Sequence, residues 1–375
     1  MRFVLSPIVK ASTRSAAAGR ARTRRTRTRT GAWVSRGRDP REPDGRDAPE
    51  AKERDARASH GRDARGSRGR DARGSRGRDA RGSRGRDAPR RGRQLAYSEL
   101  EPRSLDEFTR RRKARKLIAV LAHFLGRDGE GAQALAGLRV LDIGCSAGFI
   151  CDELAAAGAE VTGVDIDSAG LRRARARFAR RARFIQADGL ALPLADGTVD
   201  VVVLNHIYEH VVDADVLLAE VRRVLARDGL AYLGLGNRLG IMEPHHGLPL
   251  LSWLPPGLAD RYLRAAGRGE HYYERYRSRP GLRRMLARAG LRAWDYTVPV
   301  LLAPEAFHAE ADLPPGGPAR GLLRAVTAPG RLPAPARAWL ARAALPLAPT
   351  YLWVATPGSR GPAGHTLPGG PQPVT

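Results

Sequence analysis

The sequence predicts an α/β protein built on a doubly wound, mostly parallel sheet. Three observations lead there. Short β-like runs alternate with helical segments from residue 138 to 236, a glycine-bearing turn joins the first run to the first helix, and Val199–Leu204 is almost pure valine. Such alternation needs crossover helices, which cover both faces of a parallel sheet. A strand covered on both faces reads as a continuous apolar run. The elements follow in order. Ser104 and Glu107 have capping-box spacing, and Phe108, Leu117, Val120, Leu121 and Phe124 give the apolar stripe of a helix ending near Leu125. Leu138–Ile143 reads as a strand, Phe149–Ala157 as a helix, Glu160–Val164 as a strand and Ser168–Arg180 as a helix. Ala182–Gln186 is a short strand. Asp213 caps a helix to Arg227 with Leu217, Leu218, Val221, Val224 and Leu225 on one face, and Leu230–Leu235 is the next strand.

After Gly236 the rhythm breaks. Residues 237–279 are rich in Pro, His, Trp and Tyr. A helix over Pro280–Ala289 and a strand-like run over Leu291–Val300 follow. Residues 301–349 are Pro-rich, and Tyr351–Ala355 reads as a last strand. The folded domain is expected over 94–356, with residues 237–279 and 301–349 inserted as a substrate cover. Residues 357–375 are Gly/Pro-rich and expected to be disordered.

The 375 residues carry 65 Lys+Arg against 39 Asp+Glu, a net charge of +26, and residues 1–93 hold +18 of it. The octamer GRDARGSR repeats there from Gly61, Gly69 and Gly77, with no large apolar residue. Such a segment cannot bury enough surface to offset chain entropy, so disorder is expected. Residues 1–38 contain no acid and many Arg, Ser and Thr, as transit peptides do; the plainer reading is an extension or a start codon placed too far upstream. An Arg-Gly tail can hold nucleic-acid phosphates, but this one lacks interleaved aromatics. Only Lys10, Lys52, Lys113 and Lys116 are lysines. With the many Ala, Gly and Pro, this matches a GC-rich coding bias, so arginine abundance alone says little about ligands. Cys145 and Cys151 exclude a disulfide framework and a Cys-rich zinc module. No apolar run reaches membrane-spanning length, and a cytoplasmic protein is expected.

The chemistry concentrates at strand ends. Val140-Leu141-Asp142-Ile143-Gly144-Cys145-Ser146-Ala147-Gly148-Phe149 is a strand, a tight turn and a helix start. A dinucleotide fingerprint would need glycine at Ser146 and Phe149, which disfavours a pyrophosphate. Asp165 ends the second strand, 21 residues after Gly144, where a carboxylate can accept from a ribose diol. Asp167 reads as the next helix cap. Asp188 follows the third strand, placed to accept from an exocyclic adenine amine, and Asn205-His206-Ile207-Tyr208-Glu209-His210 ends the fourth. Each acid alone is also an ordinary surface-loop residue; the ordered set is what points to a site.

These segments resemble the class I S-adenosylmethionine-dependent methyltransferases. The matching text is VLDIGCSAG, VTGVDIDSAGL, ADGLALPLADGTVDVVVLNHIYEHV and LLAEVRRVLARDGL, about residues 138–236. HYYERYRSRPGLRRMLARAGL and PTYLWVATP fit the closing elements of such domains. The resemblance implies a Rossmann-like methyltransferase fold with seven strands, the last antiparallel, and S-adenosylmethionine as cofactor. It implies that Asp142, Gly144 and Gly148 line the methionine end, Asp165 binds the ribose, Asp188 and the Gly189 backbone hold the adenine, Asn205 lies under the sulfonium, and Cys145 and Ile166 also bind the cofactor. Ser146 departs from the glycine that many relatives carry.

A sulfonium methyl is already activated, so alignment of the nucleophile is the main task. An oxygen nucleophile also calls for a base. The candidates are His210, His245 and His246, set against a structural role for His210 in the helix-entry turn. No metal is expected, because adjacent histidines point apart and Glu243 with Asp260 has no ligand spacing. Trp253, Leu254, Tyr262, Tyr272 and Tyr273 either wall an apolar pocket or pack the core. Residues 313–349 hold five Arg and no acid among Leu322, Leu323, Trp339, Leu340 and Leu347. They either touch a membrane surface or form amphipathic helices on the sheet. The expected acceptor is a small or lipid-like molecule. The rival is a nucleic-acid methyltransferase or binder using the basic tail. Against it, no Asn/Asp-Pro-Pro-aromatic motif follows the fourth strand and no Pro-Cys nucleophile is present.

Overall fold

The computed structural model describes residues 105–310 and 332–374. Expectations for residues 1–93, and for the part of the cover between 311 and 331, lie outside the described residues. Helix α1 (Glu107–Leu125) starts at Asp106, whose side chain accepts from Thr109 N and from Thr109 Oγ1. The expected cap, Ser104, is outside the described residues. Gly126 ends the helix in the left-handed region.

The alternation then unfolds much as the periodicity indicates: β1 (Arg139–Ile143), α2 (Phe149–Ala156), β2 (Glu160–Asp165), α3 (Ser168–Phe178), β3 (Ala182–Gln186), β4 (Val199–Asn205), α4 (Ala214–Val224) and β5 (Leu225–Gly236). Asp167 and Asp213 cap α3 and α4 by accepting from backbone N–H groups. The cover holds a two-stranded hairpin, β6 (Met242–Glu243) and β7 (Leu248–Pro249), and α5 (Pro256–Ala265). Next come α6 (Arg279–Arg288), β8 (Arg292–Asp295), α7 (Thr297–Leu302), α8 (Ala334–Ala344), β9 (Thr350–Thr356) and β10 (Gln372–Pro373).

Eight of the strands form one sheet in the order β10-β8-β9-β5-β4-β1-β2-β3, apart from the β6-β7 hairpin. β1 pairs in parallel with β2 and with β4, so the chain reverses its winding between β1 and β4. Ligands of doubly wound sheets bind at the carboxyl ends beside such a switch point. β9 runs antiparallel to β5, as the resemblance implies. Apolar layers cover both faces, one through Leu217, Val221, Leu282 and Leu286, the other through Leu117, Leu121, Leu154 and Leu171.

Two expectations fail for identifiable reasons. Leu291–Val300 is a strand only to Asp295. Asp295 Oδ1 then accepts from Thr297 N at 2.8 Å and the apolar run turns helical. A short apolar run does not by itself choose between strand and buried helix. Residues 357–374 pack against the domain instead of trailing from it. Gln372–Pro373 pairs with Trp294–Asp295 as an eighth, edge strand, Ala363 N donates to Phe124 O at 3.0 Å, and Leu367 is buried. No helix among the described residues is long and apolar enough to cross a membrane.

Candidate active site

The strand ends meet at a cavity of about 1330 Å³. Gly144, Ser146, Asp165, Ile166, Asp188 and Gly189 form one side. The first turn is set by backbone chemistry. Gly144 stands at φ +79°, where a side chain is strained, and a Cβ there would also run into the Ile207 side chain, so glycine is favoured. Gly144 N donates to Val164 O at 2.8 Å, locking the turn to β2. Asp165 organises the loops with both carboxylate oxygens. Oδ2 accepts from Ser146 N at 2.7 Å and Oδ1 from Asp167 N at 2.8 Å. Each oxygen keeps a further lone pair for a diol. Burial raises the Asp165 carboxyl above its ordinary value, opposed by the N–H groups that favour its charge. Ser146 occupies φ +48° without being glycine, a conformation that costs a side-chain-bearing residue energy.

The other side carries proton-handling groups. β4 ends at Asn205, and His206 beyond it takes φ +59°. His206 Nδ1 lies 3.2 Å from Glu209 Oε1, and Glu209 is fully buried. The hairpin of β6 and β7 brings His245. Its turn is fixed by buried Glu243, which accepts from His246 N at 2.6 Å and from Tyr276 OH at 3.1 Å. The His245 ring then meets His210 edge-on, with centroids 4.9 Å apart, and lies roughly parallel to the Tyr276 ring. Arg275 N donates to Glu209 O at 2.9 Å, which ties segment 272–277 to the same place. Glu274 Oε2 lies 3.4 Å from His246 Nε2.

The charges sort accordingly. Burial depresses the His206 and His210 imidazoles, keeping them neutral. Burial alone would raise Glu209, but the His206 hydrogen bond and the nearby imidazoles prevail and lower it. Glu274 drops to about 2, its burial outweighed by His246, His210 and His245. Neutral imidazoles beside ionised carboxylates are proton acceptors with somewhere to stabilise the resulting charge. His245 Nε2 and Glu209 Oε2 are buried without a hydrogen-bond partner among the described residues. One donor atom each of Glu209, His210 and His245 lies within 4.8 Å of the others, a set also able to hold a cation. Sequence spacing pointed to no metal set, because His245 arrives from a hairpin 35 residues after His210.

Not every anticipated residue reaches the cavity wall, where Gly144, Asp165, Ile166, Asp188, Gly189, Asn205, His210 and His245 all stand. Asp142 is 1% exposed beneath the turn and accepts from Cys151 Sγ at 3.3 Å; burial pushes its carboxyl up to about 7. Cys145 turns inward, its sulfur packed with that of Cys151 against Gly163. Gly148 faces Ala174 and Phe184, so its smallness serves helix packing. His246 sits behind His245 on Glu274. Tyr272 is buried in the core and Trp253 is partly exposed; the cover wall is Ile241, Met242, Pro244 and His245 instead. Sequence reasoning singled out neither Glu274, which reaches His246 from 28 residues away, nor His206, one of several polar residues in a row after β4.

A strand-end cavity with a carboxylate-organised glycine turn defines a doubly wound enzyme that binds an adenosyl cofactor. Known proteins narrow this. A methyltransferase domain model matches residues 141–233. The chain is 33% identical over 187 residues to the ubiquinone biosynthesis O-methyltransferase of Chelativorans sp. (strain BNC1), covering 48% of this chain and 68% of that protein. It is 31% identical over 204 residues to the protein of the same name from Sinorhizobium medicae (strain WSM419), covering 52% and 76%. Among solved structures, an S-adenosylmethionine-dependent methyltransferase from Mesorhizobium loti is 20% identical with a TM-score of 0.39, over 59% of this chain and 91% of that one. A protein of Pyrococcus horikoshii OT3 is 31% identical with a TM-score of 0.26, over 27% of this chain; the match spans half, 50%, of that chain. The chain belongs to the class I S-adenosylmethionine-dependent methyltransferases, and S-adenosylmethionine is its cofactor.

Proposed function

We propose that the protein methylates a hydroxyl of a small, phenolic, quinone-type acceptor. The observation that carries this reading is one cavity bordered both by Asp165, Gly189 and Asn205 and by a buried imidazole nitrogen, His245 Nε2, with no partner of its own. Such an orphaned polar atom calls for a ligand group. The remaining wall, with Val298, Leu301, Leu345 and Leu352, suits an apolar acceptor body. The name carried by the relatives, ubiquinone biosynthesis O-methyltransferase, supports an oxygen nucleophile on such a ring.

Bound S-adenosylmethionine supplies a methyl group on a cationic sulfur that departs as a neutral thioether. Asp165 with Gly189 holds the adenosine end, and Asn205 borders the reacting end. His245, packed between His210 and Tyr276, takes the proton of the acceptor hydroxyl as the oxygen–carbon bond forms. Glu209 and Glu274 stabilise the resulting imidazolium charge. Residues of the cover, Ile241 and Met242, shield the far side from water. A transfer assay with catechol tests this: S-adenosylhomocysteine and singly methylated catechol should appear together. Their absence, with S-adenosylmethionine still bound, would reject the acceptor class.

A further inference from the structure

The hairpin that delivers His245 has little of its own to hold it in shape. β6 and β7 are two residues each and form a separate two-stranded sheet. So short a pair of strands is not stable alone in water. Side chains alternate along a strand. In β6 the outward one, Met242, is 49% exposed, and the inward one, Glu243, is 1% exposed. A buried strand position ordinarily carries an apolar side chain, because a buried carboxylate has to replace its hydration with hydrogen bonds. Apolar packing is also non-directional. Glu243 is directional: Oε2 accepts from His246 N, next to His245, and Oε1 accepts from Tyr276 OH.

Tyr276 belongs to the rigid side. Its neighbours are tied to the residues that follow β4 and β5. Arg275 N donates to Glu209 O at 2.9 Å, Arg277 N to Tyr208 OH at 3.1 Å, and Arg238 N to Arg277 O at 3.1 Å. Tyr208 OH in turn donates to Gly236 O at the end of β5. The Tyr276 ring lies against that same Gly236, where a Cβ would run into it. Toward the hairpin, the ring lies 27° from the plane of the His245 imidazole, with centroids 6.4 Å apart. One phenol thus joins the end of the main sheet to the hairpin at two points, the Glu243 carboxylate and the His245 ring. Two points fix an orientation, where one fixes only a position.

We propose that Tyr276, acting through Glu243, is a positioning residue for methyl transfer: it sets the direction in which His245 presents Nε2 to the acceptor hydroxyl. Neither Tyr276 nor Glu243 is among the residues that line the cavity, so both act through His245. The inference deepens the proposed function and rests on its reading of His245 as the base.

A double-mutant cycle on the full chain tests it, read as transfer of radiolabelled methyl from S-adenosylmethionine to catechol. Tyr276→Phe keeps the ring and removes the hydroxyl. Misplacing a reacting group by an ångström costs up to about 10²-fold, so this variant should lose about 10–100-fold in kcat, with KM for catechol and S-adenosylmethionine affinity kept. Added to His245→Ala, the same substitution should cost no further turnover, because nothing remains for it to place. Equal losses in the two backgrounds overturn the proposal, since Tyr276 would then only hold the fold. Full turnover in Tyr276→Phe beside an impaired His245→Ala also overturns it and leaves the base reading standing. An unimpaired His245→Ala sinks the base reading, and the positioning role falls with it.

Glu243 supplies a second route should Tyr276→Phe fail to fold. Glu243→Gln can keep both bonds, its amide oxygen accepting from His246 N and its amide N–H donating to the Tyr276 oxygen. Glu243→Ala keeps neither. The Gln variant should therefore turn over at least about tenfold faster than the Ala variant, the same lost orientation read from the other partner. Equal turnover in the two overturns the proposal.

Discussion

The two halves of the cavity are built by different means. The half proposed to hold the cofactor is short-range: Asp165 holds Ser146 and Asp167, 19 and 2 residues away, through backbone N–H groups. The half proposed for the acceptor is long-range: Arg277 N donates to Tyr208 OH, 69 residues back, and Glu274 meets His246 from 28 residues beyond it. Its polar atoms are also buried more deeply. A binding half made of backbone and one acid tolerates side-chain change at most positions. A reacting half made of buried imidazoles and carboxylates does not, because removing one partner leaves another buried and unsatisfied.

The largest test of this contrast exchanges neighbouring histidines. His245→Ala should lower turnover by about 10²–10⁴, the usual worth of a positioned general base, with S-adenosylmethionine affinity kept. His246→Ala, behind the wall, should act mainly on stability by stranding buried Glu274. Equal losses of turnover in both would erase the distinction. Dialysis against a chelator should leave turnover unchanged. Loss of turnover, restored by one divalent metal, would reassign Glu209, His210 and His245 to holding that ion.

The next effect lies beneath the cofactor half. Asp142 releases its proton near 3.8 in the unfolded chain and near 7 in the fold, because burial disfavours the charge. The folded state thus binds more protons between those values. Its contribution is fully present below about pH 4 and is lost as pH rises through 7, a span of about 4 kcal/mol. Asp142→Asn should remove this slope, so the variant gains on the parent in urea midpoint at pH 8 relative to pH 4. Parallel midpoints at the two values would contradict the assignment. The proposed cofactor contact comes next: Asp165→Ala should weaken S-adenosylmethionine by about 30–100-fold, roughly 2–3 kcal/mol, and Asp188→Ala by less because Asp188 is exposed. Equal losses would move the ribose contact elsewhere.

The same contrast explains what could be read from the chain. The strands through β5, the caps Asp167 and Asp213, and the cavity positions of Gly144, Asp165, Asp188 and Asn205 were legible because each depends on neighbours within one strand-turn-helix unit. Asp142, Cys145 and Gly148 lie in the same motif yet face inward, since a motif fixes residue types without saying which serve packing. The pairing of His245 with His210, and the edge strand at Gln372–Pro373, depend on chain returning from far away. Gly and Pro content alone suggested disorder for that last segment. The pairing with β8 and the buried Leu367 outweigh composition there.

The smallest effect sharpens the cofactor half. Ser146 holds φ +48° between Gly144 and Gly148, with its backbone N–H committed to Asp165. The left-handed region costs a residue with a Cβ roughly 1 kcal/mol, which glycine avoids. Glycine also frees the unfolded chain, which returns part of that gain. Ser146→Gly should therefore raise stability by no more than about 0.5–1 kcal/mol, read as a rise in urea midpoint at constant slope. S-adenosylmethionine affinity should change little, because the contact to Asp165 runs through the backbone. A fall of tenfold or more in affinity would show that the Ser146 hydroxyl itself touches the cofactor, and the cofactor half would then depend on side chains as the acceptor half does.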